Sequence, residues 1–244
     1  MSSADQPAAT SHLVQSYENI LENFFTAPML RCVAACGDLG TMKSMVEKGC
    51  PMSEAVFADA AMHGNLDNMN WLKSIGCPWD HHTFYEAVSN GNLENLQWLL
   101  ANGCPWNEFT FAEAASNGDL DNMKWLLANS CPFDERTFCF AAENGSLDNM
   151  KWLKDNDFPS NGQVYVAAVK NGNLDNLKWL LDNGYPKSSA AFDCAALNGK
   201  IDVLIWLKAN DFPWTPYTLV SATAFHENAE TVKWLKDNGC PSWD

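Results

Sequence analysis

The phrase that runs from Gly64 to Trp79 returns every 27 residues with little change, and this repetition constrains the fold more than any other feature. Clear copies begin at five further glycines, namely Gly91, Gly118, Gly145, Gly172 and Gly199. A weaker copy begins at Gly37, and a last one ends at Trp234 after a one-residue slip. Fixed periods of this length are typical of stacked repeats that contact only their neighbours. We therefore predict an array of about eight units, which favours macromolecular binding over catalysis.

Each copy contains the signals for two short helices. In the type copy, Asp80 is a capping residue before a first helix over 81–90, and Gly91 ends that helix. A second helix over 93–102 follows Asn92, and Pro105 prevents its continuation. Nearly every copy has Ser, Thr, Asp or Asn at both starts, with Lys200 the exception at a second start. The pattern predicts an all-α solenoid of about eight stacked helix-turn-helix repeats.

The two helices of each copy differ in side-chain size. The first is lined with Ala, which predicts close approach of neighbouring first helices. The second has large apolar side chains on an arc of roughly 220°, which predicts a helix packed between two neighbours. The Trp that recurs in every second helix is therefore interpreted as a core residue. We also interpret the aromatic residues that follow Pro as packing residues, namely Trp79, Trp106, Phe133 and Trp214.

Five asparagines fall inside the apolar arc of the second helices, namely Asn68, Asn95, Asn122, Asn149 and Asn176. A buried amide must find hydrogen-bond partners. Our hypothesis is that each of these side chains bonds the backbone of an adjacent copy.

The charge balance narrows the class of partner. The formal net charge is -15, and such a surface repels nucleic acid and anionic membranes. A basic protein partner, or a surface that serves solubility alone, fits this charge better. No apolar stretch approaches the ~20 residues of a membrane span, and the first ten residues resemble neither a signal peptide nor a transit peptide. We expect a cytoplasmic or nuclear protein with reduced cysteines.

Nothing in the sequence indicates catalysis or a cofactor. The carboxylates lie on a repeated polar ridge, as in the pairs Asp121/Lys124, Asp148/Lys151 and Asp175/Lys178, and no Ser/His/Asp set or glycine-rich phosphate loop accompanies them. His81 and His82 are adjacent, with no Cys beside them and no further His at metal-ligand spacing. We therefore predict a protein that is not an enzyme and has neither a cofactor nor a metal site.

The string Ala-Ala-x-x-Gly-x-Leu-Asp-x-Met-Lys-Trp-Leu-Leu-x-x-Gly resembles the second half of the ankyrin repeat. Gly91, Leu93, Glu94, Leu99 and Gly103 occupy matching positions. Ankyrin repeats run to about 33 residues with a β-turn finger, whereas this period is shorter and has Cys-Pro-Trp-Asp between the helices. The chain thus resembles a short, finger-less variant of the kind expanded in large DNA viruses, oomycetes and algae. The resemblance implies a protein-binding module, although without the usual fingertip contacts.

Positions that are alike in every copy maintain the stack, so positions that differ between copies are available to contact a partner. The differing positions lie at the start and on the non-Ala face of the first helices, and they include residue types common in binding hot spots. The predicted protein-binding residues are His81, His82, Tyr85, Glu86, Glu108, Phe109, Glu113, Glu135, Arg136, Phe140, Asp193 and Tyr217. Neutral surface variation is the alternative interpretation of the same pattern.

The sequence also indicates the limits of the array. We predict a disordered lead-in over 1–11, an N-terminal capping helix over 12–28 and the repeat solenoid over 29–244. Trp243 either folds back over the last repeat or leaves that end to pack on another subunit. The predicted function is a non-catalytic protein-protein interaction module, monomeric unless its ends pack. The alternative is a structural subunit or scaffold of a larger assembly.

Overall fold

The computed structural model describes residues 26–224 and 229–243, and in these ranges it contains sixteen helices and no strand. The helices are α1 (Ala27–Cys36), α2 (Leu39–Glu47), α3 (Glu54–Met62), α4 (Leu66–Ser74), α5 (His81–Asn90), α6 (Leu93–Ala101), α7 (Glu108–Asn117), α8 (Leu120–Ala128), α9 (Glu135–Asn144), α10 (Leu147–Asp155), α11 (Val164–Asn171), α12 (Leu174–Asp182), α13 (Ser189–Leu197), α14 (Ile201–Ala209), α15 (Pro216–Thr223) and α16 (Ala229–Asp237). Odd-numbered helices are the first helices of the repeats, and even-numbered helices are the second. The predicted all-α fold of helix-turn-helix repeats is confirmed.

The chain divides into two compact units, of which unit 1 ends at Trp106 and unit 2 begins at Asn107. In each unit every second helix packs on its own first helix. The first helices of successive repeats also contact one another closely, α1 with α3 and α3 with α5 in unit 1, and α7, α9, α11, α13 and α15 in series in unit 2. Each unit is therefore a stack of helix pairs in which the first helices form one continuous layer.

The predicted N-terminal capping helix lies outside the described residues except for its last few positions. Ala27 and Pro28 form the first turn of α1 rather than the end of a preceding helix. Pro is well suited to this place because the first backbone N–H groups of a helix have no intrahelical acceptor.

Local capping explains where the helices begin and end. The Asp80 side chain accepts a hydrogen bond from the His82 backbone N–H at the start of α5, and Asn92 does the same for Glu94 at the start of α6. Gly91 ends α5 in the left-handed conformation, with φ of 76°. Most of the predicted capping residues make such bonds, which are each worth about 1 kcal/mol.

Lys200 replaces the capping residue before α14 and serves a different purpose. Its side chain does not cap α14. Instead, Lys200 Nζ donates to the Asn171 carbonyl oxygen at 3.1 Å, at the C-terminal end of α11. A cation is favourable there because the last carbonyl groups of a helix carry partial negative charge. The exception in the capping pattern therefore links two successive repeats.

Aromatic pairs fill the space between first helices and the loops that follow the second helices. Phe57 and Phe192 are fully buried, and their rings lie 5.0 Å from Trp79 and 4.9 Å from Trp214 respectively. The predicted packing role of the aromatics after Pro is confirmed for these pairs. The recurring Trp of the second helices is half-buried rather than fully buried, as at Trp98, whose Nε1 donates to Asn70 Oδ1 at 3.1 Å.

The five asparagines are buried as expected, but they do not share one hydrogen-bond pattern. Asn68 donates to the Ala34 carbonyl and Asn176 to the Gly145 carbonyl, each in the preceding repeat. Asn122 donates instead to the Asp119 carboxylate in its own repeat, and both amide atoms of Asn95 lack a partner. The amide nitrogen of Asn149 also lacks a partner. The hypothesis is thus correct for Asn68 and Asn176 and wrong for Asn95 and Asn122, and no donated bond supports it at Asn149.

Candidate binding surface

The twelve predicted binding residues occupy only four positions of the first helices, and none of them is buried. Counting from the first residue of each helix, position 1 holds His81, Glu108 and Glu135, and position 2 holds His82, Phe109, Arg136 and Tyr217. Position 5 holds Tyr85 and Asp193, and position 6 holds Glu86, Glu113 and Phe140. The residues lie in both units, so their surroundings are described separately for each unit.

In unit 2 a cluster forms around Arg136 from residues of two successive repeats. The Arg136 Nε lies 2.7 Å from Asp134 Oδ2, and its Nη2 lies 3.3 Å from Glu108 Oε1. The guanidinium carbon lies 3.9 Å from the centre of the Phe109 ring. We call Glu108, Phe109, Asp134 and Arg136 the arginine cluster. It brings together three of the predicted residues and adds Asp134, the capping residue of α9.

The electrostatics of the arginine cluster follow from these contacts. Hydrogen bonding to Arg136 holds the pKa of Asp134 below its ordinary value, against the opposing effect of burial. Hydrogen bonding to Asp134 raises the pKa of Arg136 in turn. The guanidinium therefore remains charged and is held by two carboxylates and one aromatic face, an arrangement that suits its planar geometry.

Unit 1 has a cleft of about 340 Å³ at the corresponding part of its first helices. Ala55 and Ala58 form its apolar wall. Its polar lining consists of Arg31, Glu54, Asp59, Asp80, His82 and Glu86. Four carboxylates face one guanidinium here, so the cleft carries net negative charge. We call it the unit 1 cleft.

Arg31 is held on one side of the unit 1 cleft by Asp59. Its Nε lies 2.6 Å from Asp59 Oδ2 and its Nη2 lies 3.3 Å from Asp59 Oδ1, so α1 and α3 are joined by two parallel contacts. The same hydrogen bonding raises the pKa of Arg31.

Asp80, His81 and His82 lie together at the start of α5. Their ligand atoms are within 4.8 Å of one another, so these residues could hold a metal ion. The two adjacent histidines do not by themselves indicate a metal site, and the sequence pattern marks Asp80 only as a capping residue. His82 Nδ1 lies 3.1 Å from Asp80 Oδ2. Burial raises the pKa of Asp80, but hydrogen bonds from His82 outweigh this effect and lower it overall.

Three other predicted residues have separate surroundings. Asp193 accepts a hydrogen bond of 2.6 Å from the Thr218 hydroxyl of the next repeat, so it helps to hold α13 against α15. Tyr217 is 62% exposed, and its ring lies 5.4 Å from that of Trp243. Phe140 is exposed on α9. These residues do not join the arginine cluster, although Phe140 lies on the same helix as Arg136.

Sequence reasoning missed Glu54, Ala55, Asp59 and Arg31. The signal for the first three was present in the repeat itself. Glu54 occupies position 1, Ala55 position 2 and Asp59 position 6 of α3, one repeat before the earliest predicted residues. These are the positions that hold the predicted residues of α5 and α7, so extending the comparison of copies to α3 identifies Glu54, Ala55 and Asp59. Arg31 had no such signal because its role depends on contact with Asp59.

Comparison with known proteins identifies part of the array. Residues 111–191 match the family model described as ankyrin repeats, in three copies. Over this segment the chain is similar to ankyrin repeats. No curated protein matches the sequence. The connections between its repeats are short, since only 129–134 separate α8 from α9.

Among solved structures, the chain is similar to the pentatricopeptide repeat protein PPR10 in complex with an 18-nt psaJ RNA element. The identity is 12%, the TM-score is 0.47, and the match covers 87% of this chain and 38% of that one. The structure of PPR10 from maize matches at 11% identity and the same TM-score, over 86% of this chain and 38% of that chain. The chain thus spans well under half the length of these structures.

The second helices of the ankyrin segment carry a different kind of polar surface. Lys124 lies 3.7 Å from Asp121, and Lys151 lies 3.8 Å from Asp148, both as exposed pairs three residues apart on one helix. These are two of the three ridge pairs expected from the sequence. Because they repeat from copy to copy, they offer little to distinguish one partner from another.

The buried cysteines have the properties of structural side chains. Burial raises the pKa of the Cys77, Cys104 and Cys131 thiols to about 12 each. A nucleophilic cysteine requires the opposite shift. Each of these thiols also faces the backbone oxygen of the residue before its first helix, as Cys131 faces Asn107 in the ankyrin region. Among the described residues, no helix has the length and apolar character needed to cross a bilayer.

Proposed function

We propose that this protein is a non-catalytic protein-binding module that holds a basic partner against the exposed positions of its first helices. The observation that carries the proposal is the composition of positions 1, 2 and 6. Carboxylates recur there, at Glu54, Glu108 and Glu135 in position 1 and at Asp59, Glu86 and Glu113 in position 6. Ankyrin repeats are generally protein-interaction modules, and the matched segment supports the same general role here.

Two exposed aromatic side chains stand among these carboxylates in unit 2. Phe109 is 44% exposed and Phe140 is 37% exposed. Large aromatic side chains supply much of the energy of protein interfaces when a partner covers them, whereas surrounding charges favour the encounter of complementary partners. The ridge of the second helices has balanced Asp/Lys pairs instead. The first-helix face is therefore the better candidate for recognition.

The charge also argues against nucleic acid as the partner. Nucleic-acid binding depends on clustered Lys and Arg that neutralise phosphates. In the described residues the two arginines of this face, Arg31 and Arg136, are each paired with carboxylates of the chain itself. A basic protein segment matches the surface better.

The proposal can be tested by capturing partners from the native cell with matched baits. A Phe109→Ala/Glu135→Gln/Phe140→Ala chain removes three exposed first-helix groups of unit 2 and keeps Arg136. An Asp121→Ala/Lys124→Ala chain removes a ridge pair and serves as the control. We expect one basic protein to be captured by the wild type and the control and lost from the triple variant, with binding that weakens as salt is raised. Equal retention by all three baits would contradict the proposal.

A structural subunit of a larger assembly is the second candidate, and one observation favours it. Tyr217, Val220 and Trp243 are 62%, 52% and 67% exposed, and the first two lie three residues apart on α15. Exposed apolar groups of this kind often mark contact sites. Sedimentation of the purified protein separates the candidates. A concentration-independent monomer supports the binding module, whereas self-association that is lost in Tyr217→Ser/Val220→Ser supports the subunit.

A further inference from the structure

The arginine cluster of unit 2 and the unit 1 cleft are built from corresponding positions of the repeat. Each residue of the cluster has a counterpart 54 residues earlier, which is two repeats. Asp134 corresponds to Asp80, and Glu108 corresponds to Glu54, so both carboxylates are retained. Phe109 corresponds to Ala55, and Arg136 corresponds to His82. The two places therefore share their acidic groups and differ in the cation and the aromatic ring.

These two differences, together with Glu86 where unit 2 has Phe140, leave smaller side chains around this place in unit 1. Ala55 has no ring to cover the space that Phe109 covers in unit 2, and the imidazole of His82 is shorter than an arginine side chain. Ala55, Glu54, Asp80 and His82 all line the resulting cleft of about 340 Å³. This volume lies at the lower end of the range of about 300–1,000 Å³ that small-molecule sites occupy. Unit 1 thus has carboxylates at the same repeat positions as the two that bind the Arg136 guanidinium in unit 2, and beside them it has an open cleft.

We propose that the unit 1 cleft binds the guanidinium group of an arginine side chain presented by the protein partner. The inference rests on the proposed function, to which it adds the chemistry of one recognition site. Glu54 and Asp80 would accept hydrogen bonds from the guanidinium as Glu108 and Asp134 do from Arg136. The methyl groups of Ala55 and Ala58 would contact the aliphatic part of the side chain.

The existing charges of the cleft are compatible with a further cation. Arg31 is engaged by Asp59 through two contacts. Glu54, Asp80 and Glu86 also line the cleft, with Asp80 in contact with His82, so four carboxylates face the single guanidinium of Arg31 and a second guanidinium enters a site of net negative charge. An arginine fits better than a lysine because its planar group can reach two carboxylates at once, which an ammonium does less well.

The direct test uses Nα-acetyl-L-arginine amide as the probe and the full chain labelled with ¹³C in its alanine methyl groups. We expect saturable shifts of the Ala55 and Ala58 methyl signals. The citrulline amide, which has nearly the same shape without the charge, should bind at least about tenfold more weakly, which corresponds to roughly 1.4 kcal/mol. The lysine amide should bind more weakly than the arginine amide.

Two sets of variants use the correspondence between the units. Ala55→Phe/His82→Arg introduces the unit 2 side chains into unit 1 and should abolish binding of the probe there. Phe109→Ala/Arg136→Ala removes them from unit 2 and should create a second site, seen as new shifts of the Ala112 methyl signal and a stoichiometry of two. Glu54→Gln retains the shape of the cleft and should weaken binding about fivefold or more. Circular dichroism confirms that each variant is folded.

The outcomes separate this inference from the proposed function. If the arginine amide and the citrulline amide shift the alanine signals equally, or if Ala55→Phe/His82→Arg still binds the probe, the arginine site is overturned. Partner capture by the first-helix face of unit 2 would remain unaffected by that result. Titration with Zn²⁺ alone forms a further arm. Tight zinc binding that excludes the arginine amide and is lost in His81→Ala/His82→Ala would assign this place to a metal ion and overturn the proposal.

Discussion

The guanidinium carbon of Arg136 lies 3.9 Å from the centre of the Phe109 ring, although the two residues belong to different repeats. Both side chains are partly exposed, so their contact joins α7 and α9 at the surface rather than in the core. The contact shows how side chains of two successive repeats hold an arginine in unit 2. We expect it to stabilise the packing of α7 against α9.

A double-mutant cycle measures this contribution. We expect Phe109→Ala and Arg136→Ala together to be less destabilising than the sum of the single changes, with a coupling of about 0.5–1 kcal/mol in the free energy of unfolding. Urea denaturation followed by circular dichroism gives the four values. Additive single effects would show that the ring and the guanidinium do not interact in solution.

The buried asparagines provide a matched pair for a stability test. Asn176 donates to the Gly145 carbonyl at 2.9 Å, whereas the amide nitrogen of Asn149 has no partner. We expect Asn176→Leu to lower the free energy of unfolding by about 1 kcal/mol more than Asn149→Leu, because only the first leaves the partly buried Gly145 carbonyl without its donor. Thermal and urea unfolding of the two variants check the difference. Equal effects would mean that the Asn176 bond contributes nothing.

Ser130 occupies a position where most repeats have glycine. Its φ is 61°, in the left-handed region, and Gly184 holds the corresponding place two repeats later with φ of 75°. A side chain is strained in this conformation. We expect Ser130→Gly to raise the free energy of unfolding by about 0.5–1 kcal/mol. Lys124→Gly, within the exposed face of α8, is the control and should lower it by about 1 kcal/mol. A destabilised Ser130→Gly chain would contradict this account.

The cysteines should divide by reactivity. Cys32 and Cys36 are exposed, while burial raises the pKa of Cys77, Cys104 and Cys131 to about 12. At pH 8 we expect iodoacetamide to modify the first two rapidly, and the other three only after denaturation, as mass spectrometry of peptides would show. Rapid labelling of Cys104 in the folded chain would contradict the burial of this thiol.

The raised pKa values of Cys77, Cys104 and Cys131 also predict that the protein loses stability at alkaline pH. The thiols ionise near pH 9 in the unfolded chain but near pH 12 in the folded one. Between these two pH values the unfolded chain releases thiol protons that the folded chain retains. The free energy of unfolding is therefore unaffected by these thiols below about pH 9 and falls as pH rises toward 12. Cys77→Ala/Cys104→Ala/Cys131→Ala should show a shallower fall in the free energy of unfolding over this range. If the free energy of unfolding of this variant falls as steeply with pH as that of the wild type, the loss of stability comes from groups other than these thiols.

The helices and their limits were predictable because their causes are local. Capping residues such as Asp80 and Asn92, and stop residues such as Gly91, act within a few positions of the chain, and the fixed period repeats them. The predicted start of α5 at His81 agrees with the structure for this reason. The exception at Lys200 was visible in the sequence, but its bond to Asn171 was not, since that bond depends on the distance between successive repeats.

The candidate site was predictable only in part. Comparing the copies identified Phe109, Arg136 and Glu108 as variable positions, because variation is a property of the sequence itself. The sequence did not show that these side chains meet, nor that Arg31 meets Asp59, because both contacts cross from one repeat to the next.

The sequence by itself determined that the chain forms repeated helix pairs with an acidic, variable first-helix face. Those properties follow from period, capping and charge, which are carried by each repeat alone. Only the tertiary structure decided that two carboxylates enclose an arginine in unit 2 and border a cleft in unit 1. The physical reason is that such a site needs side chains from two successive repeats at hydrogen-bonding distance. The offset between stacked helices sets that distance.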